Sequence, residues 1–327
     1  MINNSLIEIS NLKTYFNTEE GTVKAVDGID LWINKGEVLG LVGESGCGKS
    51  TVALSILRLV PKPGQIYDGK IILEGNNLLN SDEEEMRETR GGKISIIWQD
   101  PMSSLNPVFT IGDQIAEAIK LHQHIQNEDE IEEKIITLLD KVGIPDAKRR
   151  LKEYPHEFSG GMRQRVMIAM ALSCNPMLLI ADEPTTSLDV TIQAQILDLM
   201  RDLKHEFESS ILLITHNLGV IAEMADKVAV MYAGKIVEYS DVLSIFKESR
   251  HPYTQALLES TPRIDIPQEK LSSIPGMVPN LINPPTGCRF YPRCKYAMDI
   301  CSQTEPEYRE IVPGHYVCCH LLDSKFR

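Results

Sequence analysis

The chain has 327 residues, 43% of them hydrophobic, which allows one large domain with a sizeable core plus an appendage. Its formal net charge of -13 argues against nucleic acid as the main partner, because phosphate-backbone binding needs clustered Lys and Arg. No apolar run approaches the ~18 to 20 residues of a membrane-spanning helix and the start, Met1 to Ser5, lacks a basic leader, so a cytoplasmic protein is expected, reaching a membrane only through a spanning partner.

Residues 5 to 42 alternate β-rich runs, Leu6-Ile7-Glu8-Ile9 and Val23-Lys24-Ala25-Val26, with turn signals such as Asn34-Lys35-Gly36. This is the pattern of a small antiparallel sheet. Tyr15 and Phe16 follow the first run, and either ring can stack on adenine or simply pack a sheet edge.

Val38-Leu39-Gly40-Leu41-Val42 reads as a buried strand and Val52 to Leu57 as an apolar helix. Between them lies Gly43-Glu44-Ser45-Gly46-Cys47-Gly48-Lys49-Ser50-Thr51, with Gly43, Gly48, Lys49 and Ser50 in the fixed places of the G-x-x-x-x-G-K-[ST] phosphate loop. Its glycines let successive backbone N–H groups approach the α- and β-phosphates, at the positive end of the following helix. Lys49 is placed for the β- and γ-oxygens and the Ser50 hydroxyl for Mg²⁺. A Gly-rich turn is the bland alternative, but the strand before and the helix after are what the motif requires.

A strand, Ile94 to Trp98, ends at Gln99-Asp100-Pro101. Ile111 to His124 and Glu128 to Val142 then show helical periodicity, with Ile131, Ile135, Leu138, Leu139 and Val142 on one face. The acidic run Glu128, Asp129, Glu130, Glu132 and Glu133 reads as a solvated face. Residues 100–158 are therefore expected to form a helical subdomain inserted into an α/β core. Ser159-Gly160-Gly161-Met162-Arg163 enters the helical run Val166 to Leu172, either as a plain N-cap or as a phosphate site.

Met177 to Ala181 is an apolar strand ending in Asp182-Glu183, where open α/β sheets bind ligands. Asp182 suits a water-mediated Mg²⁺ partner, and Glu183 the group that orients the attacking water. A further apolar strand, Ser210 to Thr215, delivers His216, read as a γ-phosphate contact because the phosphate loop and the acidic pair also end strands.

Five of the seven cysteines, Cys288, Cys294, Cys301, Cys318 and Cys319, fall in the last 40 residues. In a reducing compartment such clustering suggests a metal before disulfides. Pro284-Pro285, Pro292, Pro306 and Pro313 leave this segment little chance of a core of its own, so a metal would supply the constraint. Cys288 and Cys294 have five residues between them and Cys294 and Cys301 six, unlike paired zinc knuckles. The spacing favours a [4Fe–4S] cluster, with zinc the alternative and unligated cysteines or a disulfide the bland reading.

In order, these segments resemble the nucleotide-binding subunit of an ABC transporter over residues 5 to 240: the phosphate loop, Gln99, Ser159-Gly160-Gly161, Asp182-Glu183, Ser187-Leu188-Asp189 and His216. Trp98-Gln99-Asp100-Pro101-Met102-Ser103-Ser104-Leu105-Asn106-Pro107, Gly161-Met162-Arg163-Gln164-Arg165 and His251-Pro252-Tyr253-Thr254 resemble its dipeptide/oligopeptide importer branch, with nickel importers sharing much of the pattern. The resemblance implies an α/β fold of the ABC-type P-loop NTPase class: a RecA-like core with a small β-subdomain at 1–99 and 159–240, a helical subdomain at 100–158, and a Cys-rich C-terminal extension at 241–327. It implies an ATPase that powers peptide import from the cytoplasmic face of the membrane; nickel or another small solute is the alternative, as is a non-transport ABC ATPase, for which neither a coiled-coil insertion nor a tandem domain is present.

The same resemblance implies that Phe16 stacks on adenine and that Gln99 joins Ser50 and Asp182 at Mg²⁺ and Glu183 and His216 in catalysis. Ser159-Gly160-Gly161 is implied to contact the nucleotide of a homologous subunit in a head-to-tail dimer. The implied partners are that subunit, two permeases and an extracytoplasmic peptide-binding protein. Some members of the branch carry a [4Fe–4S] cluster, and the family pattern places its last Cys directly before His-Leu, which makes Cys319 the fourth ligand beside Cys288, Cys294 and Cys301. The chain departs from the family at Met162, where Gln is usual, and at Asn217, where Asp is common.

Overall fold

Alternating burial draws out the first strand: in the computed structural model, which describes residues 4–100, 104–186, 188–261 and 273–323, β1 (Ser5–Thr18) buries Ile7 and Ile9, then Leu12 and Thr14. The step from Ile9 to Leu12 crosses an irregularity in its pairing between Ser10 and Lys13. β2 (Gly21–Asn34) follows, then β3 (Val38–Val42), buried at every residue, and α1 (Lys49–Ile56). β4 (Gly64–Leu73), β5 (Asn76–Asn77), α2 (Glu83–Glu88) and β6 (Ile94–Ile97) come next, then α3 (Ile111–Gln123), α4 (Glu128–Lys141) and α5 (Ala147–Arg150). α6 (Gly160–Leu172), β7 (Leu178–Asp182), α7 (Val190–Phe207), β8 (Ser210–Ile214) and α8 (Leu218–Met224) follow. The chain closes with β9 (Lys227–Tyr232), β10 (Lys235–Asp241), α9 (Val242–Glu248), α10 (Pro252–Glu259), α11 (Asp299–Gln303), β11 (Tyr308–Val312) and β12 (His315–Cys318).

The chain divides into two compact units, one of residues 1–33, 38–79 and 214–327, the other of 34–37 and 80–213. In the first unit a small sheet has the order β2-β1-β4-β5, with β1 and β4 antiparallel. A mixed sheet in the same unit has the order β11-β12-β10-β9-β3; β3 and β9 are parallel, and the remaining pairs antiparallel. The tail is thus part of this sheet, through Glu238↔Val317 and Tyr239↔Tyr316. Trp32, Tyr239, Tyr316 and Tyr308 cluster along it, with ring centroids at 4.4 Å (Trp32 to Tyr239), 4.9 Å (Trp32 to Tyr316, edge-on) and 5.6 Å (Tyr308 to Tyr316, stacked). A tail expected to have no core of its own is thus tied into this sheet by strand pairing and aromatic contacts.

The second unit holds strands in the order β8-β7-β6, with β6 and β7 parallel and every residue of β7 and β8 buried. α3 buries Ile111, Ile115 and Ile119, and α4 buries Ile131, Ile135 and Leu139, each a stripe at helical spacing. Burying such a side chain stabilises by roughly 1.5–3 kcal/mol. Thr110 and Asp113 form a capping box at the start of α3, and His124, with φ 54°, ends it. The acidic first turn of α4 is exposed, as a solvated face should be. Among the described residues no helix is long and apolar enough to cross a membrane.

Candidate functional site

The phosphate loop leaves β3 and closes on α1 within the first unit. Gly43 has φ 155° and Gly48 φ 110°; a Cβ on either would lie 2.1 Å from a carbonyl oxygen, that of Met231 or of Ala25. Only glycine passes these points without displacing backbone. Gly48 is the N-cap of α1 and no side chain caps the helix, while Ser45, Gly46 and Ser50 are exposed. Lys49 is buried, and its Nζ donates to the loop's own carbonyls, Gly43 O at 2.8 Å and Glu44 O at 3.2 Å. Glycine-built backbone, uncapped amides, a buried ammonium and an exposed hydroxyl are together a donor set that fits a polyphosphate with Mg²⁺. Cys47 is fully buried, and burial pushes its thiol up, so it packs the loop rather than reacting.

The loop has outside supports that the sequence reading did not anticipate. The Glu44 N–H donates to the Tyr253 hydroxyl at 2.9 Å, and the Arg293 guanidinium grips the Glu44 carboxylate through two bonds, 2.7 and 3.0 Å. His-Pro-Tyr-Thr was legible only as a family mark; that Tyr253 and Arg293 reach the loop had no local signal.

Tyr15 donates its hydroxyl to Asp27 and packs on Tyr67, and burial and the Asp27 bond raise its pKa. Asp27 is in turn held by Arg289. Phe16 is half-buried, opposite Gly64, where a Cβ would come within 2.5 Å of its ring. His216, in the first unit, follows β8 and is exposed. Asn217 does the capping that a carboxylate could have done, accepting from Gly219 N at 2.9 Å and Val220 N at 3.4 Å at the start of α8.

The second unit brings Gln99 and Glu183 together: Gln99 Nε2 donates to Glu183 Oε2 at 3.1 Å, and Thr186 Oγ1 donates to the same oxygen at 3.0 Å. Glu183 takes φ 49°, a left-handed conformation that costs a non-glycine residue and recurs at functional sites. Asp182, before it, is the buried last residue of β7. Ser159 caps α6, its Oγ accepting from Met162 N at 3.4 Å, and the helix begins at Gly160. Ser159 and Gly160 are exposed, and nothing lies within 4 Å of a Cβ placed on Gly160. Asp189 caps α7 through Ile192 N at 3.0 Å. Ser187, with Pro101, Met102 and Ser103, lies outside the described residues.

All seven cysteines are free thiols. Burial pushes Cys288 up to about 11 and Cys318 and Cys319 up to about 12, and burial also raises Cys294. Cys288, Cys294 and Cys301 each add to the rise at Cys319, while Cys318 Sγ donates to Pro306 O at 3.1 Å. Even so, among the described residues no group of three or more His, Cys, Asp or Glu side chains is arranged to hold a metal ion. The expected [4Fe–4S] or zinc site on Cys288, Cys294, Cys301 and Cys319 is therefore not seen as a metal-holding group among the described residues.

A family profile described as ABC transporter matches residues 26–186, and one described as oligopeptide/dipeptide transporter, C-terminal region, matches residues 237–301. The oligopeptide transport ATP-binding protein AppD of Bacillus subtilis is 52% identical over 98% of this chain and 98% of its own. The dipeptide transport ATP-binding protein DppD of the same organism is 47% identical over 98% of this chain and 96% of its own. Among solved structures, the dimeric structure of MJ0796, a bacterial ABC transporter cassette, is similar with a TM-score of 0.65 and 25% identity, over 72% of this chain and 98% of that one.

Proposed function

The chain belongs to the ATP-binding proteins of ABC transporters, and from that premise we propose that its ATP hydrolysis powers import of dipeptides or oligopeptides. It is an ATPase of α/β cassette fold with a mixed sheet. The observation that carries the peptide reading is the near-full-length match, at about half identity, to oligopeptide and dipeptide transport proteins, tail included. Nickel or another small solute is the alternative load for the same engine.

In this reading Gly43 to Thr51 cradle the phosphates, Lys49 serves the β- and γ-oxygens, and Phe16 stacks on adenine, since Tyr15 is committed to Asp27. Ser50, Asp182 and Gln99 would hold Mg²⁺, which when bound offsets phosphate charge. Glu183 orients the attacking water, its carboxylate fixed by Gln99 and Thr186, and His216 contacts the γ-phosphate. Ser159-Gly160-Gly161 serves the nucleotide of a homologous subunit in a head-to-tail dimer; its exposure and the dimeric MJ0796 cassette support that arrangement.

The further partners are two permeases and an extracytoplasmic peptide-binding protein, with this chain peripheral on the cytoplasmic face. Residues 1–99 and 159–240 act as ATPase core, 100–158 as the helical signalling part and 241–327 as the extension. For the cysteine tail we keep a [4Fe–4S] cluster on Cys288, Cys294, Cys301 and Cys319 as a separate proposal, with zinc as alternative. The influence of Cys288, Cys294 and Cys301 on Cys319 supports it, the lack of a metal-holding group among the described residues weighs against it, and no step of the ATPase runs through it. Membrane fractionation tests the assembly: the chain should sediment with membranes only when permease partners are co-expressed, and sedimentation without them would contradict it.

A further inference from the structure

Resting on the reading of residues 43–51 as a phosphate loop, we propose that Arg293, together with Tyr253, is a positioning residue for ATP: the C-terminal segment sets the loop from outside. Glu44, the second residue of the loop, is held at every polar group it has. Its N–H goes to the Tyr253 hydroxyl at 2.9 Å. Its carbonyl accepts from Lys49 Nζ at 3.2 Å and from Cys47 N at 3.3 Å. Its carboxylate takes the Arg293 fork, Oε2 from one terminal nitrogen at 2.7 Å and Oε1 from the other at 3.0 Å.

The fork is itself fixed. Arg293 Nε donates to Pro275 O at 2.9 Å, and its terminal nitrogens also reach the Tyr232 hydroxyl and Ile274 O, both at 3.3 Å. The Arg293 side chain is 4% exposed and that of Glu44 27%. A two-bond pair this sheltered fixes direction as well as distance, which a point charge cannot do. It also neutralises a carboxylate that sits in the loop meant for an anionic ligand, and a Glu44 left unpaired would repel phosphate. A loop that binds phosphates through backbone N–H groups works only if its backbone is held to within a fraction of an ångström. The supports include one from 249 residues away in the chain, and Arg293 directly precedes Cys294.

A double-mutant cycle in the full transporter tests this, reading kcat and KM for ATP together with the Tm of each variant. Arg293→Met should raise KM by about tenfold, with Arg293→Lys in between because it keeps charge but loses the fork. Tyr253→Phe, which removes a single oxygen and leaves the ring packing, should raise KM in the same sense. Adding Glu44→Gln to Arg293→Met should recover most of the loss, since the uncompensated carboxylate is gone. Additive losses in the double variant, or an unchanged KM in both Arg293→Met and Tyr253→Phe, would overturn the proposal while Lys49→Ala still abolishes ATP binding. If Lys49→Ala binds ATP normally, the phosphate-loop reading fails instead.

Discussion

Gln99 and Glu183 share a hydrogen bond of 3.1 Å just past the ends of two parallel neighbouring strands, so the carboxylate assigned to the attacking water is already oriented by a neutral amide. Thr186 bonds the same oxygen. Neutral donors hold a carboxylate in direction without cancelling its charge, which suits a group that must polarise water.

Glu183→Gln is expected to lower steady-state hydrolysis by orders of magnitude and to leave ATP binding intact, because the amide keeps the shape but cannot accept a proton. Turnover measured with the partner subunits present, beside equilibrium binding of a fluorescent ATP analogue, checks both halves. Near-normal turnover would remove Glu183 from its assigned role.

Ser159→Arg should leave nucleotide binding by the single chain unchanged and block ATP-dependent dimerisation if the exposed Ser159 and Gly160 serve a facing nucleotide as proposed. Gel filtration with ATP in the Glu183→Gln background reads the dimer directly. Equal dimer yields with and without the arginine would count against a signature that acts across the dimer.

His251 gives a pH dependence with a definite sign. Its Nδ1 accepts from Tyr253 N at 3.0 Å, capping α10, and burial lowers it to about 4 from an ordinary 6.5 despite the pull of Glu238 and a bond to the Cys318 backbone. The folded state keeps the ring neutral while the unfolded chain takes up a proton below about 6.5. This contribution to stability is therefore complete above that pH and is lost as pH falls toward 4, to a limit of about 3 kcal/mol. Tm should fall less steeply between pH 6.5 and 4 in His251→Asn, which can still cap the helix but does not titrate. Parallel Tm profiles would refute the assignment.

What the sequence reveals depends on how far apart the cooperating residues are. β3, the phosphate loop and α1 are contiguous, and the apolar stripes of α3 and α4 repeat every three or four residues, so both are legible. Gln99 and Glu183 can be identified one by one, but their pairing spans 84 positions and no local pattern carries it. The start of α6 is also local, since Ser159-Gly160-Gly161 reads as a helix N-cap and Ser159 does cap the helix. In the tail, cysteine density masks Tyr316, which stacks on Tyr308 and meets Tyr239 and Trp32 edge-on, joining that segment to the sheet.

The cysteine proposal has a colour test. Anaerobic purification should give a brown protein absorbing near ~400 nm, with iron lost in Cys319→Ser and kept in Cys318→Ser. A colourless preparation with stoichiometric zinc would reverse the choice of metal, and one with neither metal would leave the thiols as packing groups.

Uptake of labelled peptide into proteoliposomes that contain the whole transporter and enclosed ATP tests the central claim most directly. The account predicts ATP-dependent accumulation with the unaltered chain and none with Glu183→Gln. Equal accumulation with both chains, or steady ATP hydrolysis that no peptide stimulates and no peptide uptake accompanies, would contradict it.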